Sequence, residues 1–166
     1  MSHSIRISPK IKENESCFRE VFKDCADILF HTMELGRGKT VDCFVIYLEV
    51  AVSNMILEKS VLGKFINELC KVSGDEILER VEKNALGISD AVQLDTAEDV
   101  VAGVFAGDAV FFIDGYAHAV KISEKGYPSM GVSEADREKV LRGSKEGFTD
   151  SVKTNSALIR KRIRNP

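Results

Sequence analysis

The sequence predicts an α/β fold of the α+β kind: a small mixed or antiparallel sheet of about four strands built from two hairpins, covered by helices and followed by a basic C-terminal helix. Three observations carry this. Alternating β-branched and aromatic runs come in pairs joined by glycine-containing turns. Stretches with apolar residues three and four apart flank those pairs, as helices covering a sheet do. Charge is split along the chain. From Glu138 to Pro166 there are eight Lys/Arg against three acids, a net +5, which leaves −8 for the first 137 residues. Such asymmetry marks an acidic globule followed by a basic extension.

At 166 residues the chain suits one domain, or one domain with an extension. Its 44% hydrophobic and 30% charged content excludes a disordered chain. The organisation read from it is an α/β subdomain over 1–125, a loop over 126–137 with Gly126, Pro128 and Gly131 close together, and a helix and linker over 138–166.

KIKENESCFREVFKDC, residues 10–25, sets Ile11, Phe18, Val21, Phe22 and Cys25 at helical spacing among charges, as on an amphipathic surface helix. ADILFHTMEL then alternates as a strand, and VDCFVIYLEV is a second, more apolar one. Gly36-Arg37-Gly38-Lys39 joins them, with glycine supplying positive φ for a hairpin. After Ser53, a predicted N-cap, a helix of about sixteen residues carries Ile56, Leu57, Val61, Phe65, Ile66 and Leu69. Ser73-Gly-Asp-Glu76 has the form of a capping box opening a helix with Ile77, Leu78 and Val81 inward, stopped by Gly87. Asp95-Thr-Ala-Glu98 resembles another box, and the short helix after it points Val101, Val104 and Phe105 inward. Strands over roughly 109–113 and 116–122 surround Asp114-Gly115, a strong hairpin signal. Finally SKEGFTDSVKTNSALIRKRI places Phe148, Val152, Ile159 and Ile163 at helical spacing, with basic residues near its C-terminus where they favour the helix dipole.

Several functional classes find no support. Gly38-Lys39-Thr40 fills the last three places of a phosphate-binding loop, but Met33 holds the first glycine's place and a strand, not a helix, follows. Cys17, Cys25, Cys43 and Cys70 contain no C-x-x-C pair and read as free thiols of a reduced, intracellular compartment. His3 reads as a surface residue, and His31 and His118 as strand side chains, none at metal-ligand spacing. Asp75/Glu76 and Glu98/Asp99 are acids of first helical turns, and no spacing joins a nucleophile to a base. No catalytic residue, cofactor or metal is expected. Nucleic acid is not expected either, since the basic extension has no interleaved aromatic beyond Phe148 and the main body is acidic. No apolar run is long enough to span a bilayer and the N-terminus lacks an apolar signal core, so the segment is expected to be neither membrane-spanning nor exported.

The run EKVLRGSKEGFTDSVKTNSALIRKRIRNP resembles the signature of the A subunit of GerA-type spore germination (nutrient germinant) receptors, E-K-V-[IV]-R-G-P-[RK]-E-G-F-[TV]-E-x-[IL]-x-T-N-x-x-L-[IL]-R-x-R. Arg142, Gly143, Glu146, Gly147, Phe148, Thr154, Asn155, Leu158, Ile159, Arg160 and Arg162 match it. Ser144 departs from the usual proline, which loosens the entry to the helix. Upstream, GDAVFFIDG is similar to a hairpin of the same family. The resemblance implies an N-terminal soluble region continuing, in the parent, into a second soluble subdomain and then membrane helices. It implies partners too: that second subdomain and the membrane domain, a permease-like B subunit that binds nutrient, a lipoprotein C subunit and other A subunits. The parent is then expected in the spore inner membrane, with this region on the cytoplasmic or spore-core side and a role in assembly and signal coupling during germination. Direct germinant binding by this region is the alternative. The signature arginines Arg142, Arg160 and Arg162 are expected at intersubdomain or intersubunit contacts, because the planar guanidinium suits carboxylates and the upstream globule is acidic.

Overall fold

Two opposed apolar faces organise the chain, and the sheet between them is buried on both sides. In a computed structural model that describes residues 5–49, 61–83, 91–123, 148 and 150–163, the elements in order are α1 (Ile11–Val21), β1 (Ile28–Leu35), β2 (Val41–Leu48), α2 (Val61–Leu69), α3 (Gly74–Glu82), β3 (Ala91–Leu94), α4 (Ala97–Phe105), β4 (Ala109–Ile113), β5 (Ala119–Ile122) and α5 (Val152–Arg162). The sheet order is β1-β2-β4-β5-β3, and every neighbouring pair is antiparallel.

All five residues of β4 are buried, so the strand reads as a continuous apolar run rather than an alternation. On one face α1 and α4 pack Phe18, Val104 and Phe105 against Phe44, Ile46, Val110 and Phe112. The Phe44 and Phe112 rings stack there with centroids 4.4 Å apart. On the other face α2 and α3 pack Leu62, Phe65, Leu69 and Ile77 against Val45, Phe111 and Ile113. Each fully buried phenylalanine or leucine stabilises the fold by about 1.5–3 kcal/mol, so neither layer is dispensable.

The expected α+β class and first hairpin are present; the sheet has five strands rather than four. The additional one, β3, pairs with β5 in register Ala91↔Ile122. AVQL is only four residues long with two exposed positions, too short a pattern to read from sequence.

The first hairpin forms as expected, with Gly36 at φ 126° and Gly38 at φ 80°. Residues 41–48 are a strand, so the phosphate-loop reading fails on order of elements. The tip is not merely exposed. The Arg37 N–H donates to Val72 O at 2.7 Å, the Gly74 N–H donates to Lys39 O at 2.8 Å, and the Lys39 ammonium meets the Asp75 carboxylate. The tip thus docks on the start of α3. Gly36 is required there because a Cβ would sit 2.5 Å from Lys39 O.

The second hairpin departs from expectation. Its return strand starts at Ala119, not 116, although Gly115 does take φ 84° and the Tyr116 N–H closes a turn on Ile113 O. The turn serves another element. Asp114 Oδ1 accepts the Ile11 N–H at 3.0 Å and the Gly115 N–H donates to Pro9 O at 2.8 Å. A carboxylate 103 residues away in sequence therefore caps α1, whose own N-cap residue, Lys10, makes no side-chain cap.

Local capping also shifts. Ser73 precedes α3, but its side chain makes no cap bond, so that box is not closed. The box before α4 is displaced by one residue: the Asp99 N–H donates to Thr96 Oγ1 and the Thr96 hydroxyl donates to Asp99 Oδ2. Consequently Val100 and Val104 are the fully buried valines of α4, while Val101 is half-buried. His118 is not a strand residue; it lies in the β4–β5 connection with Nδ1 2.7 Å from Asp95 Oδ1. The predicted stretch from Ser53 to residue 60, the Gly87 stop and the 126–137 loop lie outside the described residues.

Candidate functional site: the signature helix and its clamp

Helix α5 is the described part of the signature, and one face of it is held by the globule. Leu158 is buried, and Arg160 reaches the α1–β1 turn. The Arg160 Nε donates to Asp27 Oδ2 at 2.7 Å and its Nη2 donates to Asp27 Oδ1 at 2.8 Å, a two-pronged fork on one carboxylate. The guanidinium carbon also lies 4.9 Å from the centre of the Phe105 ring, at the end of α4. Both charged side chains are mostly buried, at 17% and 18% exposure, so the pair escapes most of the screening that weakens surface ion pairs. Asp27 and then the Cys25 thiol hydrogen-bond the guanidinium and hold its pKa above the ordinary arginine value. Asp27 is itself fixed: its carbonyl accepts the Glu49 N–H at 2.9 Å, and the Ile28 N–H donates to Cys25 O. One arginine therefore ties together α5, α4 and the turn that starts β1.

The other predicted site residues divide sharply. Arg142, Gly143, Glu146 and Gly147 lie outside the described residues. Asn155 is half-buried and Arg162 exposed, both with bonding partners. Phe148, Val152, Ile159 and Ile163, whose spacing suggested a packing face, are exposed. The globule holds α5 instead through Leu158 and Arg160. Phe105 read only as an inward residue of its helix, and Asp27 had no signal in the sequence, being 133 residues from its partner and among other acids.

A cleft of about 390 Å³ opens between α1 and the β1–β2 pair. Its apolar floor includes Ile11 and Phe44, and Lys12, Glu15, Glu34 and Asp42 bring one positive and three negative charges to its walls. Glu15 is already held by Arg19. Burial, with Asp42 and Asp114 nearby, pushes the Cys43 thiol up to about 12, so it stays protonated. Among the described residues no group of three or more His, Cys, Asp or Glu side chains is arranged to hold a metal, and no helix is long and apolar enough to cross a membrane.

The family model for the Bacillus/Clostridium GerA spore germination protein matches residues 16–166. The chain belongs to that family. Among its relatives in Bacillus subtilis (strain 168), "Uncharacterized membrane protein YfkQ" is 32% identical over 160 residues, covering 95% of this chain and 30% of that protein. "Spore germination protein A1" is 28% identical over 160 residues, covering 96% of this chain and 29% of that protein. "Spore germination protein KA" is 22% identical over 162 residues, with 98% and 30% covered. This GerA-family chain therefore spans about 30% of the length of the curated relatives it matches. The fold is shared with the crystal structure of the N-terminal domain of the A subunit of the Bacillus megaterium spore germinant receptor GerK3. The TM-score is 0.68 at 17% identity, covering 98% of this chain and 58% of that one.

Proposed function

We propose that this chain is an N-terminal, cytoplasmic-side domain of a germinant receptor A subunit, and that it works in receptor assembly and in passing on the nutrient signal. The parent would sit in the spore inner membrane. Its partners would be the remaining soluble and membrane parts of the same subunit, a permease-like B subunit, a lipoprotein C subunit and other A subunits. The observation that carries the reading is the clamp of Arg160 on Asp27. It makes the signature helix and the globule one body, so displacement of one displaces the other. Signal coupling needs such a stiff connection more than it needs a reactive group.

The test is a charge swap in spores of the parent organism. Asp27→Arg or Arg160→Glu alone should lower receptor assembly and slow nutrient-triggered germination, and the double swap should recover part of both. Normal receptor levels and normal germination in both single variants would sink the proposal.

A second reading, direct germinant binding, draws on the cleft beside α1, whose volume falls in the range of small-molecule sites. Calorimetric titration with amino acids and sugars separates the two. A saturable heat that is lost in Asp42→Lys favours ligand binding; its absence leaves coupling.

A further inference from the structure

Of the sheet's two outer strands, β1 is the longer and the less guarded. β3 is four residues long, whereas β1 has eight, and its register with β2 runs from Ile28↔Leu48 to Leu35↔Val41 without a bulge. Proteins protect such edges with lysine, proline, a bulge or a covering segment, because a row of free N–H and C=O groups templates another strand. ILFHTMEL holds no lysine or proline. Among the described residues, the backbone groups of 29–35 bond to β2 alone.

We infer that β1 pairs with β1 of a second copy, antiparallel about a two-fold axis at Thr32, so that two sheets join edge to edge. This pairing follows from the edge itself and does not depend on the receptor reading above. Opposed residues point their side chains to the same face of a sheet, so a two-fold pairing that keeps like face beside like face is centred on a single residue. Only His31 and Thr32 as centres pair seven of the eight residues. Centring on His31 sets that imidazole against its own copy and Glu34 against Ile28, a buried apolar side chain. Centring on Thr32 sets Thr32 against Thr32, Leu29 against Leu35, His31 against Met33 and Phe30 against Glu34. Threonine pairs and apolar pairs are favourable cross-strand neighbours.

Charge chooses a second copy over an unrelated strand. In that register Glu34, exposed and bonded by the Thr40 hydroxyl, faces Phe30 of the second copy. Over each Phe30 ring stands the Arg19 of the same chain, 4.7 Å from the ring centre. Its Nε and Nη2 go to Glu15, which leaves Nη1 to reach across. Each copy thus offers a carboxylate where the other offers a guanidinium, twice about the axis. The two Glu34 carboxylates stand four residues apart along the edge, about 14 Å, beyond the screening length of about 8–10 Å. Seven residues of edge, about 24 Å, bury less than the roughly 800 Å² a side of a standard interface, so the dimer is weak and forms between micromolar and millimolar concentration.

Sedimentation equilibrium of the 166-residue chain over that range tests it, and the mean mass should climb from one chain toward two. Thr32→Lys opposes two ammonium groups on the axis, and Glu34→Arg faces Arg19 of the second copy. Each change acts twice, so each should weaken association about tenfold or more while circular dichroism shows the chain still folded. Adding Arg19→Glu to Glu34→Arg should recover association. In a Cys17→Ser, Cys70→Ser background, Thr32→Cys should give a disulfide-linked dimer on mild oxidation and His31→Cys should not, since only the axial residue meets its own copy. Every second amide across 29–35 should exchange fast in dilute chain and slow down as concentration rises. A single mass up to millimolar concentration overturns the inference and leaves the edge to a different occupant. So does a dimer indifferent to both Thr32→Lys and Glu34→Arg, or crosslinking at 31 in place of 32. Protection of every 29–35 amide in dilute chain also overturns it, because another segment of the same chain would then hold the edge.

Discussion

Cutting the Arg160–Asp27 clamp should free α5 without unfolding the globule. Two charge-assisted hydrogen bonds of 2.7 and 2.8 Å are lost in Asp27→Ala or Arg160→Ala. Bonds to charged groups contribute about 1.5–3 kcal/mol net, and breaking a fully buried pair costs about 3–5 kcal/mol because the other charge is stranded. The side chains here keep 17% and 18% of their exposure, so water can partly solvate the stranded group. That lowers the expected cost to about 2–3 kcal/mol. Arg160→Ala also forfeits the contact with Phe105, about 0.5–1 kcal/mol more. Because the two sheet layers persist without α5, the loss is read as local opening. Amide exchange of residues 155–162 should quicken about 30- to 150-fold at 1.4 kcal/mol per decade, while β4 amides keep their protection. The double variant completes a thermodynamic cycle with an expected coupling of about 1.5–2.5 kcal/mol. A coupling below about 0.5 kcal/mol would refute the reasoning, since it would mean that the fork is no stronger than an exposed surface pair.

Other perturbations test the rest of the frame. Asp114→Ala removes the carboxylate that caps α1 and should cost about 1–2 kcal/mol in urea unfolding, with Asn recovering part of it. Gly36→Ala should cost more than Gly38→Ala: both have positive φ, but only Gly36 would also push a Cβ to 2.5 Å from Lys39 O, so midpoints for the pair should differ by about 1 kcal/mol or more. The Cys43 thiol is raised from 9.0 to about 12 by burial, then by Asp42 and Asp114. A thiol whose folded pKa is raised stabilises fully below its unfolded value, so that contribution should be intact below pH 9 and fall away between pH 9 and 12. Over the same range Cys70, exposed, should react with iodoacetamide well before Cys43, and equal rates would contradict the burial.

The comparison of prediction with structure follows the range of the forces involved. Amphipathic spacing located α1 and the hydrophobic stripes of α2 and α3, and the Gly36/Gly38 pair located the first hairpin, because backbone preference and burial of alternate residues act within a few positions. The short strand β3 escaped because four residues carry too little pattern and its pairing with β5 is set from afar. Asp114-Gly115 was legible as a turn but not as the cap of α1. Helix α5 was legible as a helix, but apolar spacing alone did not say which of its side chains the globule holds.

By itself, then, the sequence determined the class of fold, the acidic globule with its basic extension, and the GerA-family signature that carries Arg160. Those are properties of composition and of local spacing, and they survive whatever the chain does in space. Only the tertiary structure decided that Arg160 turns back onto Asp27 and Phe105, that Asp114 serves a helix 103 residues upstream, and that Val152, Ile159 and Ile163 face outward. Partners so distant in sequence leave no periodic trace, and an ion pair is specified by where two backbones bring its charges together rather than by the residues flanking either one.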